Sequence, residues 1–154
     1  FAPMGSGAII TNTAAITGPG VGTPIIATAV ISALDTADLT ISKSLTPSAV
    51  QENGQLTYTF VIQNYGSLPA TADDTVVFRD VFDPIIVPSE VVFNDRAWIQ
   101  GVNYNYDLRT GEFTSAEGQI TVPEAEFTQD EVTGAWTVKP GTSILTIKGR
   151  ITTG

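Results

Sequence analysis

The stretch ENGQLTYTFVIQNYG, residues 52–66, has the pattern of a half-buried β-strand between two turns. Its large apolar residues recur at every second position and alternate with Thr, Val and Gln; they are Leu56, Tyr58, Phe60 and Ile62. This period of two puts them on one face of a strand. Asn53-Gly54 precedes the strand and Asn64-Tyr65-Gly66 ends it, as turn residues do. The stretch therefore predicts a strand with one face in the core of a β protein.

The same alternation recurs on both sides of this strand. The residues predicted to share an inner face are Leu39, Ile41, Lys43 and Leu45; Val76, Phe78, Asp80 and Phe82; and Leu145, Ile147, Gly149 and Ile151. Thr, Val and Ile are abundant, and 14 Gly and 9 Pro punctuate short runs, which is typical of strands joined by turns. We expect about seven to nine strands in an all-β, immunoglobulin-like β-sandwich.

The amino-acid composition disfavours several classes of function. The chain has no His and no Cys, which removes the usual general base, thiol nucleophiles and the commonest metal ligands. We expect no enzymatic activity, no cofactor and no metal site. The net charge is −9 and the 7 basic residues are scattered, so nucleic acid is not an expected partner. The longest apolar run, residues 24–34, is about half the ~20 residues of a membrane span.

Two apolar segments precede the body of the domain. Residues 8–17 and 24–33 have strand composition, and the turn-forming GPGVG between them favours a hairpin. We therefore divide the chain into an N-terminal arm, residues 1–36, and a body, residues 37–154. A start at Phe1 fits a chain whose signal peptide has been removed, although a cut within a longer protein would look the same.

Residues 37–82, from Ala37-Asp38-Leu39 to Phe82, contain a strand with Lys43, a Gly turn, a Tyr-Thr strand ending in Asn-Tyr-Gly and a strand with Asp80. This order resembles the opening of the conserved-repeat family of prokaryotic surface proteins called domain of unknown function eleven. The resemblance implies a cell-surface, extracellular protein. Repeats of that family close with a strand after Pro-Gly, here KPGTSILTIKGRITTG, and then an Asn-Thr-Ala strand. Here the Asn-Thr-Ala strand, IITNTAAIT, stands at the N-terminus.

The displaced strand has two explanations: a slice of a tandem array cut out of phase, or an arm that completes a neighbouring molecule. Folding of the arm back into its own domain is disfavoured. As a strand, residues 24–33 span ~33 Å, whereas the linker of residues 34–38 reaches only ~17 Å when fully extended. Strand donation would give a head-to-tail homopolymer, a pilus-like filament. The arm residues expected at this subunit interface are Ile10, Asn12, Ala14, Ile16, Ile25, Ala27, Ala29 and Ile31.

Three polar residues interrupt these apolar rows: Lys43, Asp80 and Asn12. A Lys, an acid and an Asn in an apolar pocket are the components of a spontaneous isopeptide bond, as in immunoglobulin-like domains of bacterial pilins. Lys43 would attack the Asn12 amide, with Asp80 as the promoting acid. Alternatively, Lys43 reaches solvent, Asp80 caps a turn and Asn12 bonds to nearby backbone.

Other functions stay open on the sequence. Asp73 and Asp74, with Asp80 and Asp83, could ligate calcium, although their spacing matches no recognised loop. Trp98, Tyr104 and Tyr106 could stack on a surface glycan, or they could be core residues. The alternatives to a filament subunit are therefore a repeat module of a large surface adhesin and a carbohydrate-binding module.

Overall fold

The computed structural model of the chain describes residues 9–16, 25–32 and 36–152. The chain divides into two compact units, Phe1–Thr36 and Ala37–Gly154. Apart from a single 3₁₀ turn at Ala72–Asp74, the regular structure of the described residues is β-strand. The predicted all-β sandwich class is confirmed.

The described residues of the N-terminal unit form two antiparallel strands, β1 (Ile9–Ile16) and β2 (Ile25–Ser32). They pair along their full length, from Ile9 opposite Ser32 to Ile16 opposite Ile25, and form a two-stranded sheet. The predicted hairpin pairing of these segments is confirmed.

Residues 36–152 contain ten strands. They are β3 (Leu39–Thr46), β4 (Gln55–Asn64), β5 (Arg79–Val81), β6 (Ile86–Phe93), β7 (Arg96–Ala97), β8 (Tyr104–Asp107), β9 (Glu112–Ser115), β10 (Glu126–Gln129), β11 (Trp136–Lys139) and β12 (Gly141–Ile151). One sheet has five strands in the order β3-β4-β12-β6-β7, and another has three in the order β5-β9-β8. The strands β10 and β11 form a separate two-stranded sheet.

The expected seven to nine strands are too few for the described residues, because turns divide residues 94–140 into strands of two to four residues. Gly111 in the turn between β8 and β9 illustrates the cause. Its φ is +74°, a conformation that L side chains rarely adopt, and a Cβ there would meet the Phe82 carbonyl oxygen at 2.5 Å. Only glycine allows this tight turn.

The core lies between the five-stranded and three-stranded sheets. The predicted inner rows of β4 and β12 are confirmed: Leu56, Tyr58, Phe60, Ile62, Leu145 and Ile147 are all buried. The three-stranded sheet contributes Phe113, which is fully buried and contacts the rings of Phe78, Phe82, Tyr104 and Tyr106. Between the two sheets, Tyr58 packs on Phe82 at 4.7 Å and Phe60 on Phe78 at 4.6 Å between ring centroids, so aromatic rings fill much of the core.

Asn64, at the end of β4, fixes the position of the edge strand β3. Its side chain is fully buried, and its Oδ1 accepts hydrogen bonds from the backbone N–H of Asp38 and of Gly66, each at 2.9 Å. Its Nδ2 donates to the Leu68 carbonyl at 2.7 Å. Because a buried amide must be fully bonded, this residue of the Asn-Tyr-Gly turn ties the beginning of β3 to the end of β4.

Candidate strand-acceptor groove

The inner face of the edge strand β3 is open. Ile41 lies opposite Ile62, Lys43 opposite Phe60 and Leu45 opposite Tyr58, so the predicted row is on the core side of the sheet. Nevertheless Ile41 is 54% exposed and Leu45 is 37% exposed. The prediction that this row faces the core is right in orientation and wrong in burial, because the opposing three-stranded sheet ends at β5.

The free edge of β5 borders this open face. Among the described strands, β5 pairs with β9 alone. The Phe82 N–H donates to the Gly111 carbonyl at 2.9 Å, and the Phe78 carbonyl accepts from the Ser115 N–H at 2.8 Å. Since backbone groups alternate in direction along a strand, the N–H and C=O of Arg79 and Val81 point away from β9. We call this open inner face of β3, with the β5 edge, the acceptor groove.

Lys43 and Asp80 meet across the acceptor groove. The Lys43 Nζ donates to the Asp80 Oδ2 at 2.6 Å, which joins β3 to β5. The two side chains are 43% and 22% exposed, so the ion pair is partly open to solvent in the single chain. The apolar pocket expected in the completed domain stays a prediction. Asp80 lies in a strand, which makes the alternative of a turn cap wrong. The side chain of Asn12 lies outside the described residues.

Three aromatic rings surround the Lys43 amine, a feature that the sequence reasoning missed. The Nζ atom lies 4.7 Å from the ring centroid of Tyr58, 5.4 Å from that of Phe82 and 5.6 Å from that of Phe60. Burial raises the pKa of the Tyr58 phenol, as does the Asp80 charge, while the Lys43 charge lowers it. Phe82 is in the alternating row of Asp80, and Tyr58 and Phe60 are in the inner row of β4, opposite Leu45 and Lys43 of β3, so the alternating pattern contained this signal.

A small recess of about 190 Å³ adjoins the ion pair. It is lined by Ile41, Lys43, Phe60, Phe78, Arg79 and Asp80. The lining of the recess combines apolar side chains with an amine, a guanidinium and a carboxylate. An inserted side chain with an apolar body and a polar end would match this chemistry.

The arm residues predicted at a subunit interface all belong to one face of the β1–β2 sheet. The register pairs Ile10 with Ile31, Asn12 with Ala29, Ala14 with Ala27 and Ile16 with Ile25. Directly opposed residues share a face of a sheet, so these four pairs line up along it. Ala14, on this face, is exposed. The arm therefore has one apolar face that carries a single amide.

The alternative sites receive less support from the described residues. Tyr104 and Tyr106 are each 7% exposed and pack in the core, so the expectation that they could stack on a glycan is wrong. Trp98 packs on Phe93 at 5.1 Å between ring centroids and borders a mainly polar cleft of about 590 Å³.

Two of the four candidate calcium ligands are bonded to other groups of the chain. The Asp74 carboxylate accepts hydrogen bonds from the Thr71 backbone N–H and hydroxyl, which lower its pKa. The Asp80 carboxylate is bonded to Lys43. In the part of the chain that the structure describes, no cluster of three or more acidic, His or Cys side chains could hold a metal ion.

Comparison of the chain with protein-family models, with curated proteins and with solved structures finds no match. The resemblance to the surface-protein repeats therefore stays a prediction from the sequence. Over residues 9–16, 25–32 and 36–152 there is no helix with the length and apolarity needed to cross a membrane.

Proposed function

We propose that this protein is a structural subunit of an extracellular filament, joined head to tail by donation of the β1–β2 arm to the acceptor groove of the next subunit. The observation that carries the proposal is a match in strand number. The sandwich sets five strands against three, and the arm supplies two strands whose apolar residues share one face. An immunoglobulin-like sandwich would be complete only after donation.

The energetics favour such a docking. The inner face of the arm carries four isoleucines, and full burial of each stabilises the complex by about 1.5–3 kcal/mol. Ile41 and Leu45 would be buried as well. Backbone hydrogen bonds to the β5 edge would remove an unpaired edge, which otherwise promotes uncontrolled aggregation. Together these terms can exceed the cost of associating two subunits, which is roughly 4–15 kcal/mol.

The donor and acceptor surfaces are different parts of the chain. A contact between unlike surfaces is heterologous, and its repetition gives an open fibre when the rotation does not close. Each subunit has one arm and one groove. Filament growth is therefore the expected consequence of strand donation in this protein.

The same groove suits a covalent lock. Docking would remove water from Lys43 and Asp80, and a proton would pass from the ammonium to the carboxylate. The neutral Nζ would then attack the Asn12 Cγ while the Asp80 acid donates a hydrogen bond to the amide oxygen. The Cγ–Nδ2 bond would break, ammonia would leave, and a Lys43–Asn12 amide would join two subunits. The bond would replace the disulfides that a chain without Cys cannot form.

The second candidate is a repeat module of a large surface adhesin. It is favoured by the same open groove, because the closing strands could come from the following repeat of one long chain. The two candidates differ in what the chain does alone. A filament subunit assembles with copies of itself, whereas a module cut from an array stays monomeric or aggregates without order.

A mixing experiment tests the filament proposal. Ile10→Asp puts a charge on the donor face, and Ile41→Asp puts one in the groove at a side chain that is exposed in the single chain. Neither variant alone should form filaments in negative-stain electron microscopy, because the charge would be buried on docking. Mixed together, the intact arm of one should fill the intact groove of the other and give dimers by light scattering. Ser42→Asp, on the opposite face of β3, should still form filaments. Filaments from Ile41→Asp, or none from the unaltered chain, would contradict the proposal.

A further inference from the structure

We infer that the donated strand β1 pairs antiparallel with β5 in a single register, with Asn12 of one subunit directly opposite Asp80 of the next. The inference rests on the proposed strand donation. It adds three details to that proposal. They are the arm strand that pairs with β5, the direction of this strand, and its register. The reasons come from the hydrogen bonds of β5 and the chemistry of each face.

The direction follows from the sheets themselves. Every pairing between strands in the described structure is antiparallel. The free backbone groups of β5 belong to Arg79 and Val81, since Phe78 and Phe82 already bond toward β9. In an antiparallel ladder these two residues would form hydrogen-bonded pairs with residues of the incoming strand. Asp80 between them would form a non-hydrogen-bonded pair, in which the side chains are closest.

The chemistry of the inner face selects the register. With Asn12 opposite Asp80, Ile10 lies beside Phe82 and Ala14 beside Phe78, so apolar meets apolar and polar meets polar. The amide would also be next to the Lys43 amine, which Asp80 holds at 2.6 Å.

Other registers separate these matched groups. A shift by one residue would turn the threonines of β1 into the groove. A shift by two would place Asn12 against Phe78 or Phe82 and an aliphatic side chain against the Asp80 carboxylate. A buried amide without a polar partner is costly. A single polar residue on an apolar face can therefore specify register, as a buried Asn does in coiled coils.

The same reasoning selects β1 over β2. The face of β2 that would point into the groove carries Ile25, Ala27, Ala29 and Ile31, and none of these can bond to a carboxylate. Placed next to β5, β2 would leave Asp80 and Lys43 facing aliphatic carbon. The strand β2 is therefore expected on the far side of β1, toward the free edge of β3.

The outer face of the joint is compatible with this register. Thr13 would lie beside Arg79, whose guanidinium is bonded to Glu112 at 2.8 Å, and Thr11 beside Val81, which is 52% exposed. The small Thr side chains leave the Arg79–Glu112 ion pair in place. Neither outer pair creates a like-charge contact.

Disulfide trapping tests the register, and a chain without Cys gives a clean background. The test uses the full chain with Lys43→Arg, which keeps the positive charge but cannot form the amide. In filaments of this chain, the pair Thr11→Cys with Val81→Cys should oxidise to a ladder of oligomers that a reductant collapses. Directly opposed residues have Cα atoms ~5.5 Å apart, within the range of a disulfide. The control pair Thr13→Cys with Val81→Cys is diagonal and should cross-link several-fold less.

Each outcome decides one claim. Filaments in which the diagonal pair cross-links more efficiently would overturn the register while leaving strand donation intact. Absence of filaments from the unaltered chain would contradict the proposed function instead. Should the Cys variants not assemble, amide hydrogen exchange on unaltered filaments supplies a second measurement. Assembly should protect the amides of Arg79 and Val81 strongly, and unchanged exchange there would overturn the pairing with β5.

Discussion

At the scale of single residues, the Lys43–Asp80 pair is the part of the groove that gives it chemistry. An exposed ion pair stabilises a protein little, about 0–1 kcal/mol. The pair lies on the inner faces of two edge strands, over three aromatic rings, where the strand donation that we propose would cover it. In the single chain the Lys43 amine is bonded to the Asp80 carboxylate. Under the proposed donation, removal of water on docking is what would make this amine a nucleophile.

The covalent lock makes a prediction about denatured filaments. Boiling in detergent should leave a ladder of oligomers, and digestion should give a branched peptide lighter by one ammonia than its two parts. Lys43→Ala, Asn12→Ala and Asp80→Ala should each collapse the ladder to monomer in gel electrophoresis, since each removes the nucleophile, the electrophile or the promoting acid.

A matched control for the ladder is Lys148→Ala. Lys148 pairs with Glu90 at 3.0 Å on the five-stranded sheet and has no part in the groove, so its loss should leave the ladder unchanged. Unaltered filaments that run only as monomer would refute the bond. Strand donation would survive that result, because apolar burial and backbone pairing do not need the bond.

At the scale of elements, the two described strands of the arm pair only with each other and form a two-stranded sheet. An isolated two-stranded hairpin is marginally stable at best in water. Under the proposed donation, the arm face of Ile10, Asn12, Ala14 and Ile16 would cover Ile41 and Leu45 of the next subunit. The donor face and the acceptor groove would then bury each other.

The faces of the arm should respond differently to charge. Ile16→Asp should abolish filaments, because the carboxylate would be placed in a groove without solvent. Thr13→Asp, on the opposite face of the same strand, should change the amount of filament less than about twofold. Sedimentation of assembled protein measures both variants. Equal loss in the two would mean that the inner face of β1 has been assigned wrongly.

At the scale of the whole molecule, the aromatic core gives the body a defined sensitivity to alkaline pH. Burial raises the pKa of Tyr104, and it also raises those of Tyr106 and Tyr58. The Tyr106 hydroxyl donates a hydrogen bond to the Ile86 carbonyl at 2.7 Å. A phenol with a raised pKa keeps its proton in the folded state after the unfolded chain has lost it.

The free energy of unfolding should therefore fall as the pH rises above about 10, the ordinary pKa of Tyr. Below that pH the phenols are protonated in both the folded and the unfolded state, so they do not make the free energy of unfolding depend on pH. Denaturant titrations at several alkaline pH values would measure the effect. In Tyr104→Phe the slope should flatten, since one of the three phenols is gone. An unchanged free energy between pH 9 and the alkaline limit, on the order of pH 12, would contradict this account.

Several strands of this protein, and the side chains that face inward from them, could be predicted from the sequence. The period of two in residues 55–64 and 141–151 predicted the two central strands and their buried rows, because a half-buried strand exposes every second residue. It also predicted the arm pairing, since Gly and Pro between two apolar runs favour a hairpin. The same alternation put Lys43 and Asp80 on inner faces, and the ion pair of 2.6 Å agrees.

Whether the opposing sheet buries an inner face depends on the tertiary structure. Alternation gives the direction of the Ile41 side chain but not what lies over it, and that depends on how many strands the opposing sheet has. Tyr104 and Tyr106 show the opposite difference. The sequence allowed them to be exposed in a glycan site, whereas in the structure they pack on Phe113 and are buried. Burial is a property of non-local pairing, which no short stretch encodes. The open groove therefore emerged only when five strands were seen opposite three.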